Sequence, residues 1–378
     1  KEAAAIEACA SNGGQIMPPV MGAAAFVMAM VTGISYVTIM AAALIPALLY
    51  FLSLGMYCQL LAMKRNITPM ASLGGSPDYR QMLLALPGFA IPLVVIVVLF
   101  IKGFSPMYVA FWAVIATAIM AILKPGKRLT GRQWLEGFTS GFMSGAIIAV
   151  SLATIGIVTK VLTVSGLGVK LPGIVEVLSS GNLLVALLLV LAVSIILGMG
   201  VPTTPAYILV AMVGAPVLVQ LGVGLLPAHF FVFYYAVMAL ITPPVASAAI
   251  VSSQIAGASY VATSVEAIKI AAPSLLVPFI FIKNPIFLMQ PGEGWLEGTV
   301  ALFAGLLLVL ATSIAFVNHF LTRLSGWERL AFALCAQLCF VYFMVWSNYA
   351  IALAGLVLFA LLTLNQLRQQ RPALTAPS

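Results

Sequence analysis

Small and oxygen-bearing residues gather at three places where an otherwise apolar chain is broken by proline. Ser11, Asn12, Gly13 and Gly14 precede Pro18; Gly198, Gly200, Val201, Thr203 and Thr204 surround Pro202; Thr242 precedes Pro243 and Pro244, and Ser247 follows. Proline lacks a backbone donor and leaves upstream carbonyls unpaired. Glycine lets the backbone approach a bound ion, and Thr, Ser and Asn add further oxygens. Together they suit a hard cation held without a formal counter-charge, mostly by carbonyl oxygens. Helices that begin after Pro202 and Pro244 turn positive dipole ends towards an anion. One pocket can then hold sodium on the first set of residues and a carboxylate on Pro202, Thr203, Thr204, Pro244 and Ser247. Packing kinks between helices explain any single break, but three in a repeated arrangement are harder to explain that way.

Other chemistry is sparse. Ionisable residues inside apolar segments are few: Lys160, Glu266 and Lys269. Glu266 and Lys269 lie three apart, where they neutralise each other on one helix face, and Lys160 reads equally as a snorkelling lysine. His229 and His319 stand at segment ends and are expected at the interface. The sequence has no nucleophile–base spacing, metal cluster or phosphate loop, so neither a cofactor nor a metal beyond transported sodium is expected, and an enzyme is not. Cys9, Cys58, Cys335 and Cys339 read as small buried hydrophobes.

The elements that must position the breaks follow from composition. Of 378 residues, 63% are hydrophobic and only 7% charged, with a mean hydropathy of +1.17; soluble domains carry about a quarter charged residues. Stretches near the roughly 20 apolar residues that a spanning helix needs recur at 83–101, 107–123, 183–197, 299–317 and 332–346. The fold class is therefore all-α, a polytopic transmembrane bundle. The net charge of +8 sits in short clusters rather than along one face, which argues against nucleic acid. The densest cluster is Lys124, Lys127, Arg128 and Arg132; Lys64 and Arg65 form another, and Arg368 and Arg371 mark a polar tail from 366. The excess of positive charge in short cytoplasmic loops puts the 124–132 loop in the cytoplasm.

An internal repeat sharpens the plan. The segment around Pro18-Pro19 aligns with that around Pro243-Pro244 at an offset of 225 residues, and Gly33-Ile34-Ser35-Tyr36-Val37 matches Gly257-Ala258-Ser259-Tyr260-Val261 after a one-residue slip. Duplicated halves with broken helices are the plan of secondary transporters, with substrate and ion sites near the midplane. The chain divides into a remainder of the first repeat (1–63), scaffold helices (64–136), a second repeat (137–290) with a re-entrant hairpin (183–221) and a broken helix (228–257), and peripheral C-terminal helices (291–378). Subtracting 225 from the hairpin places its counterpart before residue 1, and Lys1-Glu2-Ala3 is no signal peptide, so the chain reads as starting inside a longer protein. A membrane enzyme would need an acid–base or metal constellation, and a passive channel would need polar rings.

Three stretches carry a family resemblance: ASNGGQIMPPVMGAAAF at 10–26, GMGVPTTPAYILVAMVGAPVL at 198–218 and FYYAVMALITPPVASAAIVSSQIAGASYV and onward at 233–285. Over most of residues 1–290 the chain resembles the large membrane subunit of the tripartite ATP-independent periplasmic (TRAP) transporters, in particular the fused permeases of the TAXI branch. The resemblance implies a sodium-driven elevator in a bacterial or archaeal inner membrane. In it, a periplasmic binding protein of the TAXI type delivers a small organic anion, usually a carboxylate. Some relatives couple to protons instead. By the same resemblance, 198–204 matches the tip of the second hairpin, and 11–19 and 242–244 match the broken helices that complete the ion sites. Other ion-coupled anion transporters of related fold remain the alternative.

Overall fold

A computed structural model of the chain describes residues 1–67, 79–123, 129–290, 294–345 and 348–375. In chain order the helices are α1 (Glu2–Gly13), α2 (Ala23–Thr32), α3 (Tyr36–Lys64), α4 (Tyr79–Ile101), α5 (Pro106–Leu123), α6 (Gly131–Val164), α7 (Leu167–Ser179), α8 (Leu183–Gly198), α9 (Thr203–Gln220), α10 (Leu225–Met238), α11 (Ser247–Ile255), α12 (Tyr260–Ala271), α13 (Val277–Lys283), α14 (Trp295–Val317), α15 (Gly326–Met344) and α16 (Tyr349–Thr375). Among the described residues, seven helices are long and apolar enough to span a membrane, or eight when α12 and the segment Ser274–Lys283, bent by 56°, are taken as one span. The protein is a multi-pass all-α membrane protein.

Local chemistry sets the boundaries. The Ser35 hydroxyl accepts from the Thr38 amide at the start of α3, and Asn182 Oδ1 accepts from the Leu184 and Val185 amides at the start of α8. Each satisfies amides that a first turn leaves unpaired. Gly200, with φ of 73°, reverses the chain between α8 and α9, where a side chain would be strained. The two arms then pack so closely that a β-carbon at Gly214 would lie 2.8 Å from Val190 Cγ1.

Helix α10 sits at the centre. It is apolar on all faces, and every residue from Leu226 to Met238 is buried, as an all-round hydrophobic helix must be. In contrast, α4, α5 and α6 carry mostly exposed apolar faces, the condition of helices in contact with lipid.

The contacts fix which helix ends share a face of the membrane. Lys64 Nζ donates to Val317 O at 2.6 Å, joining the C-terminal ends of α3 and α14, and Arg65 pairs with Glu2 at the start of α1. Arg329 Nε donates to Ala315 O at 2.9 Å, which brings the start of α15 to the same end. From Arg65, α4 crosses and α5 returns, so Arg132 comes back to the face of Lys64. The arginines Arg323, Arg329 and Arg368 belong to it too. Lys124, Lys127 and Arg128 lie outside the described residues. By the positive-inside bias this face is expected to be the cytoplasmic one, and a cysteine placed at Thr130 is expected to stay unlabelled by a membrane-impermeant maleimide in intact cells while labelling after permeabilisation. Equal labelling before and after would invert the topology.

Three places add detail to the sequence reading. The domain boundary at 136/137 falls inside α6, one continuous helix. The polar tail from 366 is helical through Thr375, and its Gln366 is buried against Glu328, as described below. His229 near the start of α10 is buried against the protein, and its Nδ1 meets the Tyr207 hydroxyl of α9 at 2.8 Å.

Candidate ion and substrate site

The three proline breaks converge. The first connects α1 to α2, the second is the α8–α9 hairpin tip, and the third connects α10 to α11. A β-carbon at Gly198 would lie 2.8 Å from Ala239 Cβ, and one at Gly200 would lie 3.4 Å from Val245 Cγ1, so the tip rests on the third break. Thr203 Oγ1 donates to Gln15 Oε1 at 2.5 Å, tying the tip to the first break as well. Across the middle, Asn12 Nδ2 donates to Val237 O at 2.9 Å, and Gln15 Nε2 donates to Asn12 Oδ1 at 3.2 Å.

The repeat is visible in the bonding. Pro18-Pro19 and Pro243-Pro244 are both cis, and each break carries a left-handed residue, Met21 and Ala246. Tyr36 OH donates to Pro19 O and Val20 O at 3.0 and 2.9 Å. Its counterpart Tyr260 reaches Pro244 O and Val245 O at 2.5 and 2.7 Å. Tyr234 and Tyr235 likewise reach Ser274 O and Leu275 O at the α12–α13 bend, at 2.9 and 2.6 Å. In lipid no water is available to satisfy carbonyls exposed by a break; tyrosine hydroxyls take that role here. From sequence alone Tyr36 and Tyr260 are only markers of the repeat, and nothing marks Gln15 as part of the site. Their roles come from contacts 15 to 188 residues apart.

The predicted site residues divide accordingly. Asn12, Thr203 and Thr204 are buried and gathered at the convergence. Gly198 and Gly200 serve close packing and chain reversal. Gly13 serves close packing, since a β-carbon there would lie 2.2 Å from Tyr50 Cε1. Ser11 is exposed and donates to Glu7 Oε1 at 2.8 Å along its own helix, away from the cluster. Thr242 Oγ1 donates to Met238 O at 2.8 Å, which leaves its lone pairs free. Gly14 and Pro202 are exposed at the rim; Pro18, Val201, Pro243 and Ser247 are half-buried, and Pro244 is exposed.

Carbonyl availability differs from the sequence expectation. The carbonyls after each Pro-Pro pair are the ones the tyrosines occupy, and those of Asn12, Gly13 and Gly14 accept from the Gln15, Ile16 and Met17 amides. Among the described residues, the carbonyls of Met199, Gly200, Val201, Ile241 and Pro243 receive no hydrogen bond. With the Thr203, Thr204 and Thr242 hydroxyls, they form an oxygen-rich set without a carboxylate.

Other ionisable groups sit apart. Glu266 and Lys269 pair at 3.2 Å, as their spacing predicts, and Lys160 is exposed. In the loop after α14, burial and then the charge of Lys64 lower the pKa of His319, so that it is neutral near pH 7. All four cysteines are free thiols, and no group of three metal-ligating side chains occurs among the described residues.

No protein in the curated collection matches the chain. The family model described as "Tripartite ATP-independent periplasmic transporter, DctM component" matches residues 1–291, a span holding all three breaks and ending before α14. The chain therefore belongs to the DctM family, the large membrane component of TRAP transporters.

Proposed function

We propose that this chain is a secondary active transporter that imports a small organic anion, most simply a carboxylate, coupled to sodium by an elevator movement of the repeats in the inner membrane. DctM components work with a periplasmic binding protein and a small subunit; here the binding protein is of the TAXI type and selects the anion. The observation that carries this reading is the meeting of three helix breaks, which between them hold five unpaired carbonyls and three threonine hydroxyls with no acidic side chain among them. A buried cation needs several oxygens. Neutral dipoles that supply them leave the bound cation with net positive charge, and that charge, with the positive helix ends after Pro202 and Pro244, attracts the substrate carboxylate. Cation and anion thus bind as a neutral pair, the form that crosses a low-dielectric region at least cost.

The direct test is uptake by proteoliposomes containing this chain, its small subunit and its binding protein. Uptake is expected to need an inward sodium gradient, with potassium unable to replace it. Thr204→Val keeps the side-chain shape and removes one oxygen; its half-saturating sodium concentration is expected to rise roughly tenfold, the scale of one lost contact to a charged group. Thr204→Ser is expected to stay near wild type. An unchanged sodium requirement in folded Thr204→Val would remove this hydroxyl from the site, and uptake driven by a proton gradient alone would overturn sodium coupling.

A further inference from the structure

We infer that Gln15 is a latch that holds the hairpin tip closed on the broken helices, and that this latch belongs to one repeat only. The direction of its hydrogen bonds is fixed from one end. The Val237 carbonyl can only accept, so Asn12 must present its amide nitrogen there and its oxygen to Gln15. Gln15 must then use its own nitrogen on Asn12, and the oxygen left over can only accept, so the Thr203 hydroxyl is committed as donor. The chain runs from α10 through the end of α1 to the first residue of α9, and its last link is the one polar side-chain contact that the tip makes with the first break among the described residues. The rest of the tip's seating is apolar and light: Gly198 against Ala239 and Gly200 against Val245.

The repeat supplies the contrast. At the 225-residue offset, Asn12 corresponds to Val237 and Gln15 to Leu240, neither of which has a polar side chain. The second repeat therefore cannot build this chain. A latch of one neutral hydrogen bond is weak enough to open and directional enough to fix where the tip lands, and opening it uncovers Val245 and the unpaired carbonyls beside it. Gln15 is thus a positioning residue for the proposed ion site.

The test reads tip lifting at Val245→Cys, half-buried beneath Gly200, in a Cys58→Ser background; the other three cysteines are buried. Alkylation by a water-soluble maleimide is timed on purified protein in choline chloride, without sodium or substrate. Gln15→Leu, which installs the second repeat's residue, and Thr203→Val are each expected to speed labelling roughly three- to tenfold, the factor one net hydrogen bond supplies. The double variant is expected to label no faster than either single one, because both remove the same contact, and Thr203→Ser is expected to retain the wild-type rate. Wild-type labelling in Gln15→Leu, multiplied effects in the double variant, or Thr203→Ser behaving like Thr203→Val would each overturn the latch. Should Gln15→Leu fail to fold, the comparison of Thr203→Val with Thr203→Ser decides alone. The inference rests on the transport reading only for its purpose: labelling in choline can fail while the sodium requirement of Thr204→Val still rises, or the reverse.

Discussion

Asn12→Asp will be among the most damaging single-atom exchanges in this protein, with a loss of several kcal/mol of stability and at least a hundredfold loss of uptake. The side chain is 3% exposed, and its nitrogen is the donor to Val237 O. Aspartate places oxygen against that carbonyl. Ionised, it is a buried charge without a cationic partner; protonated, it can face Val237 but only after the proton is taken up at a cost. Asn12→Val, which copies the second repeat, removes the mismatch; Val237 O keeps its backbone donor at the end of α10, but the Gln15 amide loses its acceptor, at about 1–3 kcal/mol. The expected order of thermal stability in detergent at pH 7 is wild type, then Asn12→Val, then Asn12→Asp. If the two variants melt together, the donor at this position is not what matters.

The contact also marks where sequence reading ran out. Breaks were legible because proline and glycine have few uses inside an apolar helix, and the repeat was legible because Pro18-Pro19 and Pro243-Pro244 keep their distance to Tyr36 and Tyr260. What the breaks do with their carbonyls was not legible. The expectation that proline frees those beside it overlooked the tyrosine hydroxyls that take them, which leaves the unpaired ones chiefly at the hairpin tip. Asn12 and Gln15 lie in the same quoted segment and look alike in sequence. Only the position of Val237, 225 residues away, orders them into a directed chain. The partner of His229 is hidden for a similar reason: local sequence shows a segment end, whereas the hydroxyl it meets belongs to Tyr207 on another helix.

Glu328→Ala is expected to release the C-terminal helix. Glu328 is 1% exposed. Its Oε2 accepts from the Ser325 amide and hydroxyl at 2.8 and 2.7 Å, the capping box of α15. Its Oε1 accepts from Asn365, Gln366 and Gln369 on α16 at 2.7, 2.8 and 3.0 Å. Gln366 in turn accepts from the Thr322 amide and hydroxyl. One carboxylate thus satisfies a helix start and three amides of a second helix, and removing it leaves several donors unpaired, at about 3 kcal/mol or more together. Rapid proteolysis within α16 of the alanine variant, under conditions where wild type is resistant, is the expected sign; Glu328→Gln, which keeps an acceptor, should fall between. Because α15 and α16 lie beyond the matched span of 1–291, sodium dependence of any remaining uptake should not change. Wild-type resistance in Glu328→Ala would mean that apolar packing, such as Phe332 against Phe359, holds α16 unaided.

The burial of α10 bears on how the protein is made. With 14 residues it is about 21 Å long, too short for a hydrocarbon layer of about 30 Å, and its partner α11 has only nine. Emerging from the ribosome, neither helix can be threaded across the bilayer as an independent stop. α10 is expected to settle against the hairpin before it and α13 after it, and α11 against α1 and α12. The helix at the centre of the finished protein is therefore expected to reach its place only after α13 has emerged to close around its aromatic side chains.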